Sequence, residues 1–392
     1  MGGPPLRALG CCLLPCVLAC AAACAWLWFA LPQPTDGSGA RVLTLASLLK
    51  AYVGLFAHSA GLGLEATPRL EISEEVLASA PPRWTLHPIP ELRAGVDFDS
   101  REGLLRAFAP FRNRRPVLIK GFLAGGGASR AWTGSFQRLS EPWWTVEHLG
   151  KELSGVEVRV FQNYSTDDSI VWKDFREYAE ALVRDPDSIM YGRAISEHWE
   201  VRPDMLELMD QDLISELAGR PWAWKRLLQR FHEWVGAAVI FVSGRVPTTR
   251  LHADLGESFV LATEGRKRWR LFGPENSLLL RPKGMVKDVG FTAGFDAWAP
   301  DFAALPQLRL CEGWEGAAEA GDLLYFPSQT WHGVENLGER NVIVDVATFD
   351  FVRSVGRNWP QSLVTMLHPG AFVDLVRYCA LGAESNDGHR LP

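Results

Sequence analysis

Past residue 24 the chain is nearly without cysteine. Five of its seven (Cys11, Cys12, Cys16, Cys20 and Cys24) precede that point, and only Cys311 and Cys379 follow. With no C-x-x-C and no Cys/His cluster at zinc spacing, a zinc finger or a dithiol redox motif is excluded. A Cys311–Cys379 disulfide is open in an oxidising compartment, but nothing in the spacing requires it. An excess of basic charge is lacking too. The net charge of −6 and pI near 5.9 argue against a nucleic-acid partner. The short basic clusters (Arg112, Arg114, Arg115; Arg266 to Arg270) read as outward strand faces. Internal repeats and low-complexity tracts are missing, and the polar last residues, ESNDGHRLP, carry no K-D-E-L-type retrieval signal.

What is present is an ordinary globular composition, 47% apolar and 22% charged, over 392 residues, enough for one large domain with appendages or for two domains. Sixteen tryptophans fit a large aromatic β core better than a dedicated aromatic substrate cage. Residues 8 to 31 form an uncharged apolar run long enough to cross a bilayer. It reads as an uncleaved signal anchor. The alternative is a signal peptide cleaved near Ala23-Cys24-Ala25. Either sends the rest of the chain into the secretory pathway, where the N-x-[ST] sequon at Asn163 becomes a glycan site.

The organisation expected is therefore a signal anchor or peptide at 1–31, a linker and helical stem at 32–109, a main domain at 110–350 and a helical extension at 351–392. Val42 to Leu64 reads as a helix docked on the domain or lying along the membrane, and Ala80 to Pro90 as a connector. A helix follows Ser100 as N-cap, with Leu104, Leu105 and Phe108 on its apolar side. RRPVLIKGF (114–122) reads as a strand entering the core. WWTVEHLGKEL and WKDFREYAEALV read as helices, VEVRVFQ and SIMYGRAI as strands. Leu363, Met366 and Leu367, then Phe372, Leu375 and Val376, repeat at helical spacing, which suits a cap on the domain or a homodimer contact.

Chemistry concentrates in PTTRLHADLGESFVLATEGRKRWRLFGP (247–274) and GDLLYFPSQTWHG (321–333). His252 and Asp254 are two residues apart, so on a strand both side chains leave one face. An imidazole and a carboxylate converging on a point make two thirds of a 2-His-1-carboxylate site for Fe(II). His332, after the strand-like LLYFP, would supply the third ligand. The rival pair His198-Trp199-Glu200 lies in a polar stretch, SEHWEVRPD, without strand context. In RKRWRLF, Lys267, Trp269 and Leu271 share a face opposite Arg266, Arg268 and Arg270. Lys267 therefore points inward, where a buried ammonium needs an anion.

H-x-D, a Lys fifteen residues after the His, and G-D-x-L-x-x-P-x-x-x-W-H eighty residues after it resemble a JmjC-domain Fe(II)/2-oxoglutarate-dependent oxygenase of the small hydroxylase branch. That branch includes an asparaginyl hydroxylase and an endoplasmic-reticulum-luminal JmjC protein. The resemblance implies a mainly β, α+β architecture with flanking helices: a double-stranded β-helix (jelly roll, cupin-like) behind the N-terminal transmembrane helix. It also implies Fe(II) on His252, Asp254 and His332, and 2-oxoglutarate held by Lys267, Thr249 and Tyr191. Strict alternation puts Thr249 on the face opposite His252, so its role requires a bulge. Tyr191 has a core-tyrosine reading beside the functional one. Trp331 is expected to pack the barrel mouth. Where the family often carries Asn on the last strand, this chain reads VIVDVATF. The activity implied is hydroxylation of a protein or peptide side chain, with a lysine demethylase or a non-catalytic luminal scaffold as alternatives. The setting implied is a single-pass type II membrane protein facing the lumen.

Overall fold

Runs of β-branched and aromatic residues, punctuated by Gly, Pro and Asp turns, assemble into two sheets that face each other. The computed structural model describes residues 43–59, 70–123, 144–162, 170–194, 211–219, 238–283, 290–348 and 356–357. Its first strands are β1 (Thr85–Pro88), β2 (Glu91–Arg93), β3 (Val117–Lys120), β4 (Glu157–Phe161), β5 (Ile170–Asp174) and β6 (Tyr191–Ala194). Then come β7 (Ala238–Gly244), β8 (Thr248–Asp254), β9 (Glu257–Glu264), β10 (Arg266–Phe272), β11 (Pro282–Lys283) and β12 (Gly290–Ala293). The last are β13 (Glu312–Glu319), β14 (Leu323–Phe326), β15 (Trp331–Asn336) and β16 (Arg340–Thr348). One sheet runs β1-β13-β10-β15-β8-β12-β11 and the other β2-β3-β14-β9-β16-β7-β6-β4-β5.

The two sheets share an apolar chamber. Trp269, Leu271, Ala318 and Val334 from the seven-stranded sheet meet Leu118, Val260, Ala262, Leu324, Phe326 and Ile343 from the nine-stranded one. The central strands of the larger sheet, β9 and β14, are apolar on both faces, because helices cover its back. Phe259, Leu261, Tyr325, Val342 and Val344 point that way, packing with α3 (Arg101–Phe108), α4 (Val146–Glu152), α5 (Phe175–Arg184) and α6 (Gln211–Ala218). This explains the near-continuous apolar runs of β9 and β14, which alternation alone would not produce. Helix α3 starts on Ser100, whose Oγ accepts from the Gly103 N–H, and buries Leu104 and Phe108.

Two helices precede these. In α1 (Leu45–Ser59), Leu48, Ala51, Tyr52 and Leu55 pack behind the seven-stranded sheet with Leu251, Phe272, Phe291 and Trp331. Each fully buried leucine contributes about 2 kcal/mol, so α1 is part of the core. The short α2 (Glu74–Ser79) buries no residue. Among the described residues no helix is long and apolar enough to cross a membrane. The apolar run 8–31, the sequon at Asn163, the His198/Glu200 pair and the C-terminal helical repeat lie outside the described residues. Cys311 is buried and forms no disulfide among the described residues, and the partner expected for it, Cys379, lies outside them.

Three expectations need correction. The connector at 80–90 contains β1, which adds parallel to β13 as an edge strand. In WKDFREYAEALV, Trp172-Lys173-Asp174 belong to β5, and α5 begins only at Phe175. Asp174 is the reason. Its carboxylate accepts from the Arg176 and Glu177 N–H groups, an N-cap that ends the strand and starts the helix. Trp331 does not face the barrel mouth. Its residue parity on β15 is opposite to that of His332, so it lies fully buried behind the sheet, its Nε1 donating to Ser277 Oγ at 2.9 Å.

Candidate metal centre

The ligand strands are held in register before any ligand is considered. His332 on β15 sits directly opposite His252 on β8 and Leu271 on β10. The turn from β14 to β15 passes through Gln329, a non-glycine residue at φ 60°, whose N–H bonds the Asp254 carbonyl at 2.9 Å. That bond ties the His332 turn to the end of the strand carrying the other two ligands. The Asp of the G-D-x-L motif has a structural role. Asp322 accepts from Gly121 N–H at 2.9 Å, Glu319 N–H at 2.9 Å and Lys120 Nζ at 2.5 Å, pinning β14 to β3.

His252, Asp254 and His332 each offer one ligand atom, and these atoms lie within 4.8 Å of one another. Both Nε2 atoms stand 3.7 Å from Asp254 Oδ2, and the imidazole centroids are 3.9 Å apart. The Nδ1 atoms face backbone carbonyls: His252 that of Arg250 at 2.8 Å, His332 that of Thr330 at 3.0 Å. A carbonyl only accepts, so each Nδ1 carries a proton, and it is Nε2 of each ring that faces the shared point, the atom whose lone pair a metal would take. Burial and the adjacent His252 hold the His332 imidazole well below its ordinary value, which keeps it neutral, as ligation requires. Phe326, 4.6 Å from the His332 ring, and Trp269, 6.4 Å from it, wall that side with apolar surface. Two imidazoles and a carboxylate match the donor set of a non-haem Fe(II) site with open positions.

Four residues along β10 from Leu271, about 13 Å of backbone, lies Lys267. It is 1% exposed, and its Nζ makes no hydrogen bond among the described residues. Desolvation pushes its ammonium down to about 7. Its Nζ stands over the Tyr191 ring, 5.3 Å from the centroid. Gly265 makes the turn into β10 at φ 81°, where a Cβ would stand 2.1 Å from the Arg340 carbonyl. Only glycine turns tightly enough there to set Lys267 two residues on.

Thr249 reaches the same chamber through the required bulge. Between the pairs His332↔His252 and Val334↔Thr249, β15 advances two residues and β8 three. The extra residue turns Thr249 onto the face shared by His252 and Val334. Asn336 and Ser243 add polar atoms without hydrogen-bond partners among the described residues, Asn336 Oδ1 opposite Lys267 and Ser243 Oγ opposite Tyr191. The outward arginines of β10 are matched by acids instead: Arg266 by Glu319, Arg268 by Glu335 and Arg270 by Glu315.

One chamber residue is not among those expected from the sequence. Asp345 of β16 faces inward between Val239 and Val260. Burial and the Asp254 charge push its carboxyl up to about 7, against Ser258 and Arg193. A single acid in the apolar run VIVDVATF was the available signal, once alternation is applied with Ile343 as an inner residue.

A family model for a cupin-like domain matches residues 109–346. tRNA wybutosine-synthesizing protein 5 of Gallus gallus is 24% identical over 255 residues, covering 61% of this chain and 71% of that protein. JmjC domain-containing protein D of Dictyostelium discoideum is 34% identical over 91 residues, 23% of this chain and 20% of that one. HSPB1-associated protein 1 of Bos taurus is 25% identical over 224 residues, 52% of this chain and 44% of that protein. The chain thus spans less than half the length of the latter two.

Proposed function

Because the chain belongs to the cupin-like domain family and has JmjC-domain relatives, we propose that it is an Fe(II)- and 2-oxoglutarate-dependent oxygenase that hydroxylates a protein side chain. One observation carries this reading. The chamber has three candidate metal-ligand atoms converging at one end, and on the same inner face a buried ammonium without a hydrogen-bonding partner among the described residues. A buried lysine left so is costly unless an anion completes it. A small dicarboxylate that also reaches the metal suits the pair.

Bound at His252, Asp254 and His332, Fe(II) would supply O₂ activation coupled to oxidative decarboxylation of 2-oxoglutarate to succinate and CO₂. The protein's own part is positioning. His252 and His332 present fixed Nε2 lone pairs, oriented by the Arg250 and Thr330 carbonyls. Lys267, with Thr249 and Tyr191 beside it, would hold the distal carboxylate. Trp269, Phe326, Leu271 and Val334 keep the space between dry, which strengthens each charge contact. The net charge of −6 favours a protein over a nucleic-acid substrate. The tRNA in one relative's name belongs to that relative.

The apolar run at 8–31 and the sequon at Asn163 support a type II setting, residues 32 to 392 lying in the lumen, with a secretory or membrane protein as substrate. The test of activity is direct. Purified full-length protein with Fe(II), O₂ and 2-oxoglutarate should release succinate and CO₂ in equal amounts, and the Asp254→Ala protein should not. No succinate from metal-loaded wild type, with or without a peptide library, would leave a binding protein built on the same fold.

A further inference from the structure

A carboxylate that the proposed reaction does not use lies in the chamber. Asp345 sits mid-strand in β16, and both register partners, Val239 and Val260, are apolar. Val260 lines the space between the sheets, so Asp345 points there too, and its neighbour Ser258 is the register partner of Phe326, whose ring lies 4.6 Å from that of His332. Its Oδ2 accepts a weak bond from Ser258 Oγ at 3.3 Å. Its Oδ1 is shielded from solvent and meets no hydrogen-bond donor among the described residues, although the residue as a whole is only half-buried. A valine or leucine would pack between those partners without leaving an oxygen unmet, so the fold itself does not call for an acid.

Resting on the oxygenase reading, we propose that Asp345 is a specificity residue that accepts a hydrogen bond from an N–H donor of the substrate beside the carbon to be oxidised. Its charge repels the carboxylates of 2-oxoglutarate, so it does not serve the cosubstrate. That role falls to Lys267 at the other end of the chamber. A divalent cation at the triad favours the ionised form of a nearby acid. The substrate class that follows has a side chain ending in a carboxamide, ammonium or guanidinium, and acidic side chains are refused.

The test needs no turnover. Full-length protein is loaded with Mn(II), and paramagnetic line broadening is measured for three small probes: n-butylammonium, butyramide and, as an acceptor-only control, 2-pentanone. The two donors should be broadened strongly and 2-pentanone weakly. Asp345→Leu should cut the donors' affinity about tenfold, the scale of one lost hydrogen bond, while the spectrum of bound Mn(II) stays unchanged. Asp345→Asn, which keeps the shape and loses the charge, covers the case of a misfolded leucine variant, and should weaken butylammonium more than butyramide. Equal broadening of all three probes by wild type, or unchanged donor affinity in both variants, overturns the role of Asp345 and leaves the oxygenase reading standing. Mn(II) left free by wild type would sink the metal reading first, and this one with it.

Discussion

Lys267 is the residue whose chemistry separates a ligand chamber from an ordinary core. With its ammonium pushed down to about 7, the folded protein without an anion has lost a proton that the unfolded chain keeps up to about 10.4. Stability from this group therefore rises with pH between about 7 and 10, and below that window the buried charge is carried at full cost. Lys267→Met should flatten that slope in urea midpoints. A bound dicarboxylate reverses the shift, so 2-oxoglutarate should take up close to one proton per molecule at about pH 8.5, read as a buffer-dependent heat of binding. Lys267→Ala should raise the 2-oxoglutarate requirement by about 100-fold with metal affinity intact. At the ligands the pattern inverts. Ala at His252, Asp254 or His332 should lower divalent-metal affinity by at least about 100-fold, since even outer partners cost 10- to 100-fold. Equilibrium dialysis with metal analysis reads this, and full binding by Asp254→Ala would remove the triad.

Elements decide which side chains can meet. The extra residue in β8 between Thr249 and His252 brings both onto the chamber face, so the hydroxyl of Thr249 is available at the Lys267 end. Thr249→Val, isosteric and apolar, should cost about tenfold in 2-oxoglutarate requirement and leave metal binding unchanged. Deletion of Arg250 should remove the bulge, restore strict alternation and turn Thr249 away. Helix α1 makes a different demand. Leu48 and Leu55 are fully buried among Leu251, Phe272 and Trp331, so Leu48→Ala should lower unfolding free energy by about 2–4 kcal/mol. Chemical denaturation checks it, and a loss under about 0.5 kcal/mol would mean that α1 is a loose stem.

For the whole molecule, the oxygenase proposal puts the chemistry in the chamber between the two sheets, and the type II proposal puts that chamber on the luminal side of a membrane. The type II proposal expects the main domain to resist protease in sealed microsomes and to shift in mass with glycosidase. Digestion from outside intact vesicles would place it in the cytosol and overturn the luminal setting, whatever the activity.

The local signals in the sequence were those that depend on short-range geometry. His252 and Asp254 share a strand face by their spacing alone, and the parity of RKRWRLF placed Lys267 inward. Ser100 announced its helix because capping is decided within four residues. The fold class was legible through the JmjC resemblance of H-x-D, the spaced Lys and the G-D-x-L motif. Pairing between distant strands was not. The register His332↔His252 spans eighty residues, and no local pattern says which face of a strand buried on both sides looks into the chamber. For that reason the sequence alone reads Trp331 at the mouth and leaves Asp345 without a place. Thr249 needed a bulge that only the β8–β15 ladder reveals. Spacing along one chain fixes which side chains share a face. Which faces meet, and which polar atoms are left without partners inside, is settled only when two sheets close on each other and exclude water.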